Sequence, residues 1–447
     1  MELVYKVDQR PSFGKTLVFA LQQLLAILAA TIAVPAIINS PEMANLIGTE
    51  FELSQSAALF GAGIGTLVYL LFTKFKSPVF LGSSFAFLGS MNAAFSGAIS
   101  AAAGYAGLLI GAASAGLIYV IIAIIVKFAG VKWIGKLMPP VVIGPTVAII
   151  GLSLASNAVK DLTSGDGIMK YVSIICGLVT LFVTMICSVY GKKFLKMIPF
   201  IIGICAGYLT AVIFTLCGIK VVDFSAFQNM TWIPNFTFLT AFKDGFALIN
   251  FKYVLSIIIA YAPVAFVVFA EHIADHKNLS SIIEADLLED PGLHRTLLGD
   301  GVGSIAGAFF GGCPNTTYGE SVGCVAISGN ASIATIFTTA CLAIVSSFIA
   351  PFTTALATIP SCVMGGVCFA LYGFIAVSGL KMIKDVDLGD NRNLFVVSVI
   401  LIAGVGGLEL NFGEGDHTIT ITEVACALIL GIITNLILAK KSKKDFK

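Results

Sequence analysis

Long apolar runs separated by short polar connections occupy almost the whole sequence. A run of about 20 apolar residues can cross the hydrocarbon layer of a membrane as an α-helix. A helix is needed because lipid offers no partner to backbone N–H and C=O groups. The 447-residue chain is 57% hydrophobic and 11% charged, with a mean hydropathy of +0.98, which excludes a soluble globular domain. We therefore predict an all-α polytopic membrane protein.

The apolar runs divide into about fourteen predicted transmembrane segments, given a hydrocarbon thickness of roughly 30 Å. They lie near residues 15–38, 54–73, 79–92, 101–127, 137–157, 169–190, 197–218, 251–276, 296–310, 315–328, 331–350, 360–381, 393–409 and 418–439. The third and tenth are too short and too often interrupted to cross as plain helices. We expect both to be broken and to contain short extended strands.

The placement of charge predicts the orientation of these segments. With the N-terminus inside, most Lys and Arg residues fall on the cytoplasmic side, as the positive-inside rule requires. The cytoplasmic groups are Lys6, Arg10, Lys15, Lys74, Lys76, Lys127, Lys132, Lys136, Lys192, Lys193, Lys196, Lys277, Arg295, Lys381, Lys384, Arg392 and the tail from Lys440 to Lys447. We therefore expect an even number of spans in the cell membrane, with both termini cytoplasmic.

Several classes of function are disfavoured. A net charge of +1 gives no basic surface for nucleic acid. The 10 cysteines lie almost wholly in apolar runs without a CxxC pair, so we expect neither disulfides nor a cysteine-bound cofactor or metal. No GxxxxGK[ST] motif for ATP is present. The start, MELVYKVDQRPSFGK, has no apolar core typical of a cleaved signal peptide.

The tenth segment contains the strongest signal of a site. Residues 311–327 read GGCPNTTYGESVGCVAI, so Pro314, a Thr pair and Glu320 interrupt an apolar stretch. Irregular backbone at membrane depth is tolerated only inside protein or beside a polar cavity. An acidic residue there commonly marks an ion or substrate pathway. The segment therefore predicts a binding site near the middle of the membrane.

The third segment, Ser77 to Phe87, has the matching interruption SPVFLGSSFAF. We expect its extended part to face the one around Thr317, leaving backbone amides such as those of Ser84 and Phe85 for a ligand. The alternative is a kinked helix whose serines bond their own backbone.

The eighth segment ends in Glu271-His-Ile-Ala-Asp275-His276. Glu271 follows a long apolar run and Asp275 lies one turn further on the same face, so Glu271 is the second candidate carboxylate. His272 and His276 have metal-ligand spacing, but no HExxH order accompanies them. We expect these histidines to be helix-capping or cytoplasmic-edge residues and predict no metal site.

Two pairs of similar sequence positions indicate an internal repeat. Pro139-Pro-Val-Val-Ile-Gly144 opens the fifth segment and Pro360-Ser-Cys-Val-Met-Gly365 opens the twelfth, while Pro35 in the first segment resembles Pro263 in the eighth. Seven segments separate each pair, and an odd number forces the two halves into opposite orientations. Two inverted seven-segment repeats with broken third segments are typical of a secondary transporter. Chance placement of Pro and Gly is the alternative.

The substrate is expected to be neutral. No Arg or Lys lies deep in a predicted span, and the two candidate carboxylates are Glu271 and Glu320. Such a site suits a ligand with N–H donors for the acids and carbonyls for backbone amides. A pyrimidine or purine base has this edge pattern.

Four motifs carry a family resemblance: NTTYGES, AEHIADH, GSSFAF and QQLLAILAATIAVP. Together they resemble the nucleobase:cation symporter-2 (nucleobase/ascorbate transporter) family, and NTTYGE is similar to the bacterial uracil permease type. The resemblance implies a core domain of residues 1–135 and 250–350, and a gate domain of residues 136–220 and 356–440. It also implies a homodimer joined through the gate domains.

Carried over residue by residue, the resemblance implies that Glu271 and Glu320 hold the base and that the backbone of Phe85 and Tyr318 meets its carbonyls. Gly319 would allow close approach, and Tyr372 would close the site from the gate. Uracil members commonly have Gln-His where this chain has Gln22-Gln23, and a His where it has Asp275. Glu271, Asp275 and Gln23 are therefore the candidates for proton coupling.

The resulting hypothesis is uracil import by proton symport and alternating access. Purine or xanthine transport and sodium coupling are the alternatives, as is an anion transporter of the same architecture. A channel or a membrane enzyme is disfavoured because neither explains the broken repeat and no nucleophile or metal constellation is evident. If Asp275 is exposed at the cytoplasmic edge, Glu271 alone carries the proton; if the two acids share it, they titrate jointly. We favour the first arrangement on the sequence.

Overall fold

A computed structural model describes residues 3–39, 52–130, 132–192, 194–412 and 419–439. The helices of eight or more residues are α1 (Phe13–Ile38), α2 (Gln55–Phe72), α3 (Leu88–Ser96), α4 (Ala101–Ala129), α5 (Pro140–Ser153), α6 (Ala155–Leu162), α7 (Ile168–Tyr190), α8 (Pro199–Leu216), α9 (Phe251–Ile283), α10 (Leu293–Gly311), α11 (Gly319–Ser328), α12 (Ile333–Ser347), α13 (Ala350–Ala357), α14 (Ser361–Met382), α15 (Asn391–Val405) and α16 (Glu423–Ile437). We call the end of the bundle at which α1 begins the inner end, and the opposite end the outer end.

Short elements complete the described chain. The strands are β1 (Leu81–Ser83), β2 (Asn315–Thr317), β3 (Leu410–Phe412) and β4 (Ile419–Ile421). Short helical segments lie at Phe85–Phe87, Lys132–Leu137, Phe194–Met197, Phe224–Asn229, Thr237–Thr240, Ala241–Gly245, Phe246–Leu248 and Leu288–Gly292. β1 pairs with β2 and β3 pairs with β4, both antiparallel.

Within the described ranges, eight helices are long and apolar enough to cross a membrane. One of them comprises α5 and α6 together. The helix α12 and the following α13 would form a ninth, although the chain bends by 83° between them. These helices confirm the prediction of an all-α polytopic membrane protein.

The broken third and tenth segments are confirmed. The third runs through β1, the turn Phe85–Phe87 and α3, and the tenth runs through β2 and α11. The strand at residues 81–83 excludes the alternative of a merely kinked helix.

The packing of the helices repeats across the two halves of the chain. When each element of segments one to seven is matched to the element seven segments later, helix contacts occur in matched pairs. The pairs are α8–α7 with α15–α16, α10–α4 with α12–α2, α9–α4 with α1–α12, α14–α7 with α15–α5, and α8–α14 with α16–α5. The contacts α2–α10, α5–α14 and β1–β2 each join two matched elements. This arrangement supports the predicted inverted repeat.

The prolines of the repeat occupy equivalent positions. Pro139 is the N-cap residue of α5 and Pro360 is the N-cap residue of α14, both with extended backbone. Pro35 and Pro263 both lie inside the matched helices α1 and α9. Proline suits a helix start because it lacks the N–H that the first turn leaves unpaired.

Glycine allows α2 and α10 to touch at backbone distance. A Cβ atom added to Gly61 would lie 2.4 Å from the carbonyl oxygen of Gly307. Small residues permit such close packing in membranes, where contact between helices cannot depend on excluding water. This crossing forms the support behind β2.

A hairpin closes one side of the bundle at its outer end. Strands β3 and β4 connect α15 to α16, and β4 contacts α9. Thr422, which follows β4, faces Gly89 of α3, since a Cβ on Gly89 would lie 3.0 Å from the Thr422 methyl carbon. Neither this hairpin nor the bend into α13 is predicted by hydropathy, because both lie at the edges of apolar runs.

Replacing Gly61 by Ala should destabilise the protein. The methyl group cannot avoid the Gly307 carbonyl without moving a helix backbone, so we expect a loss of about 1–3 kcal/mol, as for other overpacked interiors. Thermal unfolding of the detergent-purified protein measures it. The matched control is Gly373→Ala in α14, where a Cβ meets nothing within 4 Å. Equal melting temperatures for the two variants would contradict the argument.

Candidate functional site

Two short strands from opposite halves of the chain meet at the middle of the bundle. Leu81, Gly82 and Ser83 lie opposite Thr317, Thr316 and Asn315. The pairing continues past both ends of the strands, as the amide of Tyr318 donates to the Phe80 carbonyl at 3.1 Å and that of Ser84 donates to the Pro314 carbonyl at 2.9 Å. The interrupted backbone therefore finds its partners within the protein, as membrane depth requires.

The side chain of Asn315 fixes β2 to the helices behind it. Its Nδ2 donates to the Gly61 carbonyl at 3.1 Å. Cβ atoms on Gly65 and Gly307 would lie 2.5 and 2.2 Å from Nδ2. The asparagine therefore fills a slot that only glycines leave open, and its role is to hold the strand.

Ser321 and Gln23 fix the start of α11. The Ser321 hydroxyl accepts a hydrogen bond from the Phe80 amide at 3.0 Å. The Gln23 amide group donates to this hydroxyl and, at 3.3 Å, to the Ser321 carbonyl. Because all three residues are buried, these contacts set where the first turn of α11 points.

A cavity of about 330 Å³ lies beside the strands. It extends from them to the inner ends of α7, α9 and α14. Its lining comprises Ala26, Ser84, Phe85, Val147, Ser188, Lys196, Met197, Pro199, Phe200, Glu271, Ala274, Asp275, Asn278, Thr316, Thr317, Tyr318, Gly319, Glu320, Gly323, Cys324, Ile327, Phe374, Ile375 and Ser378. Since Lys196, Asn278 and Ser378 are exposed, the cavity opens at the inner end in this conformation.

Three half-buried carboxylates face this cavity: Glu271 and Asp275 from α9 and Glu320 from the first turn of α11. The Thr317 hydroxyl donates to Asp275 Oδ2 at 2.8 Å. A Cβ on Gly319 would lie 3.8 Å from Asp275 Oδ1, which is an ordinary contact distance. The two broken segments and α9 thus bring the acids to one wall.

Hydrogen-bond donors stand beside the acids. The hydroxyl groups of Ser84 and Thr316 are buried and have no partner within the described residues. The Gly319 amide begins α11, where the first N–H groups of a helix have no acceptor within the helix. The wall therefore offers carboxylate acceptors and neutral donors close together, which suits a small polar molecule with both kinds of group.

A family model described as a permease family matches residues 14–411 of the chain. The chain belongs to this permease family. It is 39% identical over 438 residues to the uracil permease of Bacillus caldolyticus, covering 97% of this chain and 94% of the relative. It is 38% identical to that of Bacillus subtilis, with coverage of 96% and 94%, and 36% identical to that of Escherichia coli K12, with coverage of 96% and 93%. These relatives confirm the resemblance to uracil permeases drawn from the motifs, and permeases are transporters and not enzymes.

Solved structures share the fold of this permease. The transmembrane domain of a cyanobacterial bicarbonate transporter, BicA, matches with a TM-score of 0.59 at 16% identity, covering 96% of this chain and all of that one. A murine anion transporter of solute carrier family 26, member A9, in the inward-facing state matches with a TM-score of 0.60 at 12% identity, covering 96% and 69%. At such low identity the likeness concerns the fold alone, and it supports the architecture of two inverted seven-segment repeats.

Seven of the permease residues predicted for the site lie on the cavity wall: Ser84, Phe85, Glu271, Asp275, Tyr318, Gly319 and Glu320. Asp275 is on this wall and not at an exposed helix end, which differs from the arrangement favoured on the sequence. The reason is that α9 continues to Ile283, so Asp275 lies well before its end.

Two predicted residues lie off the wall. Tyr372 is buried behind Phe85, with ring centroids 5.7 Å apart at an interplanar angle of 84°. In this conformation Tyr372 therefore does not line the cavity, and it can influence a bound ligand only through its contact with Phe85. The side chain of Gln23 is bonded to Ser321 and not to any of the three carboxylates.

Two of the three backbone amides expected to meet the ligand differ from that expectation, and the third, that of Phe85, stays a prediction. The amides of Ser84 and Tyr318 extend the strand pairing, so in this conformation each already has a protein acceptor. The Gly319 amide and the Ser84 hydroxyl are the better candidates to meet ligand carbonyls. The register of the strands decides this, because it determines which amides face the other strand.

A buried polar network lies behind α9, where the sequence suggested helix-capping or cytoplasmic-edge histidines. His272 contacts Asp300 Oδ2 through Nδ1 at 2.8 Å and Thr296 through Nε2 at 2.9 Å. His276 contacts the His272 carbonyl at 2.8 Å and the Tyr69 hydroxyl at 2.7 Å. The expectation of cytoplasmic-edge histidines is thus wrong, since both are fully enclosed between α9, α10 and α2. All four ring nitrogens have protein partners.

Asn278 and Lys196 also line the inner part of the cavity, although neither belongs to a motif that predicts the site. Asn278 follows Asp275 by three residues on α9, so helical periodicity could have indicated it. Lys196 lies in the connection between α7 and α8, where nothing in the local sequence distinguishes it from other cytoplasmic lysines.

Replacing Ser321 by Ala should loosen the broken segments. The buried Phe80 amide and the Gln23 side chain would lose their acceptor, which typically reduces stability by about 1–3 kcal/mol. Faster hydrogen exchange in the peptide containing Phe80, together with a lower melting temperature, would show the effect. The control is Ser153→Ala, whose hydroxyl only donates within its own helix, to Ile150. Unchanged exchange at Phe80 in Ser321→Ala would rule out this role.

Proposed function

We propose that this permease imports uracil across the cell membrane by proton symport. The observation that carries the proposal is the wall of Glu271, Asp275 and Glu320 beside the neutral donors of Ser84 and Gly319. The relatives named uracil permeases support uracil as the substrate. The fold alone does not select a substrate, and an acid-lined wall disfavours the anions named for the two solved structures.

The chemistry of uracil fits the donors and acceptors of the wall. Its two N–H groups suit carboxylate oxygens, so Glu271 and Glu320 are proposed to accept hydrogen bonds from the ring. Its carbonyl oxygens suit the Gly319 amide and the Ser84 hydroxyl. Hydrogen bonds to charged groups are the stronger ones, so the carboxylates supply most of the polar affinity.

Alternating access is proposed to arise from motion of a gate domain, residues 136–220 and 356–440, against a core domain, residues 1–135 and 250–350. The two parts meet through symmetric contacts, which are α1 with α8 and α14, and α9 with α16 and α5. Such matched contacts suit an inward-open and an outward-open conformation in which the two repeats exchange roles. In the present one the hairpin β3–β4 covers α9 at the outer end while the cavity opens at the inner end.

The molecular setting is part of the same proposal. We place the permease in the cell membrane with both termini cytoplasmic, as the distribution of Lys and Arg indicates. A homodimer through the gate domains is proposed from the family resemblance. Exposed apolar side chains on gate helices, such as Phe182 and Val189 of α7 and Phe395 of α15, suit either lipid or a second copy.

Proton coupling is assigned to Glu271 and Asp275 acting together. They lie one turn apart on the same wall, and Thr317 donates to Asp275 there. Acids in one cavity titrate jointly. One proton driven by 100 mV contributes about 2.3 kcal/mol, which sustains roughly a 50-fold gradient of a neutral solute. Sodium coupling is the alternative that the transport experiment below tests.

Glu320→Gln should weaken uracil binding. The variant keeps the shape of the side chain but replaces a carboxylate acceptor by a neutral amide, so we expect a loss of about 1.5–3 kcal/mol, or roughly 10- to 150-fold in affinity. Binding of radiolabelled uracil to purified protein measures it, with Glu289→Gln, an exposed acid outside the cavity, as control. An affinity within twofold of the parent would remove Glu320 from the site.

Uptake into proteoliposomes under an imposed pH gradient, without sodium, tests the coupling. The parent protein should concentrate uracil, and Glu271→Gln should abolish uphill uptake because the variant cannot carry the proton. Asp275→Asn should shift the pH dependence of uptake, since it removes one of two jointly titrating acids. An unchanged pH profile in Asp275→Asn would assign the proton to Glu271 alone. Failure of the parent without sodium, with recovery on adding it, would overturn the proton mechanism.

A further inference from the structure

Lys196 stands apart among the charged residues of the cavity. Four charged side chains line it within the described part of the chain: Glu271, Asp275, Glu320 and Lys196. The three acids belong to α9 and α11, while the lysine belongs to the short helix Phe194–Met197 between α7 and α8. Lys196 is exposed at the inner mouth, and in the described residues its ammonium group has no hydrogen bond or ion pair.

The residues after Lys196 hold it at the mouth. Met197 and Ile198 are buried in a small apolar cluster with Ala26 of α1 and Cys324 of α11. The chain carrying the lysine therefore rests on the two helices that border the acid wall. Because Lys196 stands at the inner mouth, a motion that closes this end moves its ammonium group toward the cavity or encloses it between the closing surfaces.

Asp275 is the acid best placed to receive it. Along α9, which runs from the outer to the inner end, Asp275 lies one turn inward of Glu271, and Asn278 follows toward the mouth. In the proposed function Glu271 and Glu320 bond the base, which leaves Asp275 as the acid on the mouth side.

We propose that Lys196 forms an ion pair with the Asp275 carboxylate when the inner end closes, and that this pair allows the empty, deprotonated carrier to return. A charge enclosed without a partner is strongly unfavourable, whereas a paired charge is far less so. Closure over an ionised Asp275 is thus favoured with Lys196 present. Closure over a protonated Asp275 leaves the ammonium unpaired, which opposes return with a bound proton.

The same pair explains how loading opens the inner end. With the inner end closed, a proton arriving from outside neutralises the carboxylate and breaks the pair. The unpaired ammonium then favours reopening toward the cytoplasm, where water solvates it. Lys196 is a positioning residue in this scheme, because it does not touch the base. The inference rests on the proposed function.

Comparison of net uptake with counterflow tests the proposal. In counterflow the carrier returns loaded, so it does not need the ion pair, whereas net uptake requires return of the empty carrier. Lys196→Met should reduce net uracil uptake at least about tenfold, as expected for enclosing an unpaired carboxylate. Counterflow of radiolabelled uracil should not fall by more than about threefold, because the loaded carrier closes over a protonated Asp275 that needs no charged partner. Lys196→Gln provides a second uncharged variant if the Met variant folds poorly.

Three further variants make the result specific. Lys196→Arg keeps the charge and should keep net uptake. Lys192→Met removes an exposed lysine of the same connection that does not line the cavity, and should behave as the parent. Combining Lys196→Met with Asp275→Asn removes both charges, so net uptake should recover relative to Lys196→Met alone, as a coupling between two partners requires.

The outcomes separate the inference from the proposed function. Equal losses of net uptake and counterflow in Lys196→Met and Lys196→Gln, or no loss in either assay, would overturn the role of Lys196. Lack of recovery in the double variant would overturn Asp275 as its partner. Absence of uracil counterflow in the parent protein would instead refute the proposed function itself.

Discussion

The pairing of β1 with β2 is the constraint on which the rest of the site depends. Two interrupted segments at membrane depth would each expose unpaired backbone groups, and their antiparallel ladder removes most of that penalty. Once the strands are paired, the short helices that follow them, Phe85–Phe87 and α11, must start at the middle of the bundle. Their first residues then face a cavity. The position of the site is thus a consequence of how the interrupted backbone forms its hydrogen bonds.

The surroundings make this central unit stiff. Asn315 is enclosed by the glycines of α2 and α10, and Ser321 joins Phe80 to Gln23 of α1. Two further segments, α1 and α2, are therefore tied to the strand-bearing segments by buried hydrogen bonds. A unit held in this way is expected to move as a rigid body against the gate helices and not to deform internally, since a close-packed interior resists deformation.

The sequence predicted those features of the fold and site that are caused by residues close together in the chain, and not those that depend on contacts between distant segments. Gly, Pro and Ser at fixed places broke the third and tenth segments, and the acids in them identified Glu320 and Glu271 as candidates. The free amides were not predictable, because a shift of one residue in register changes which N–H groups face the other strand. The histidines show a second limit. A step of one residue turns a helix by about 100°, so His272 and His276 face α10 and α2 while Glu271 and Asp275 face the cavity, and hydropathy cannot distinguish these two faces when both are enclosed by protein.

The strand pairing also has a consequence for how the chain folds during synthesis. Ser83 and Tyr318, which bond across the ladder, are 235 residues apart in sequence. The strand at residues 81–83 therefore has no native partner until the ribosome has completed the ninth segment and the start of the tenth. Such a long-range contact is slow to form. Until it forms, the unpaired edge of the strand can pair with a non-native segment or with another chain. The third segment therefore reaches its native pairing only after the matching segment of the second half has been synthesised.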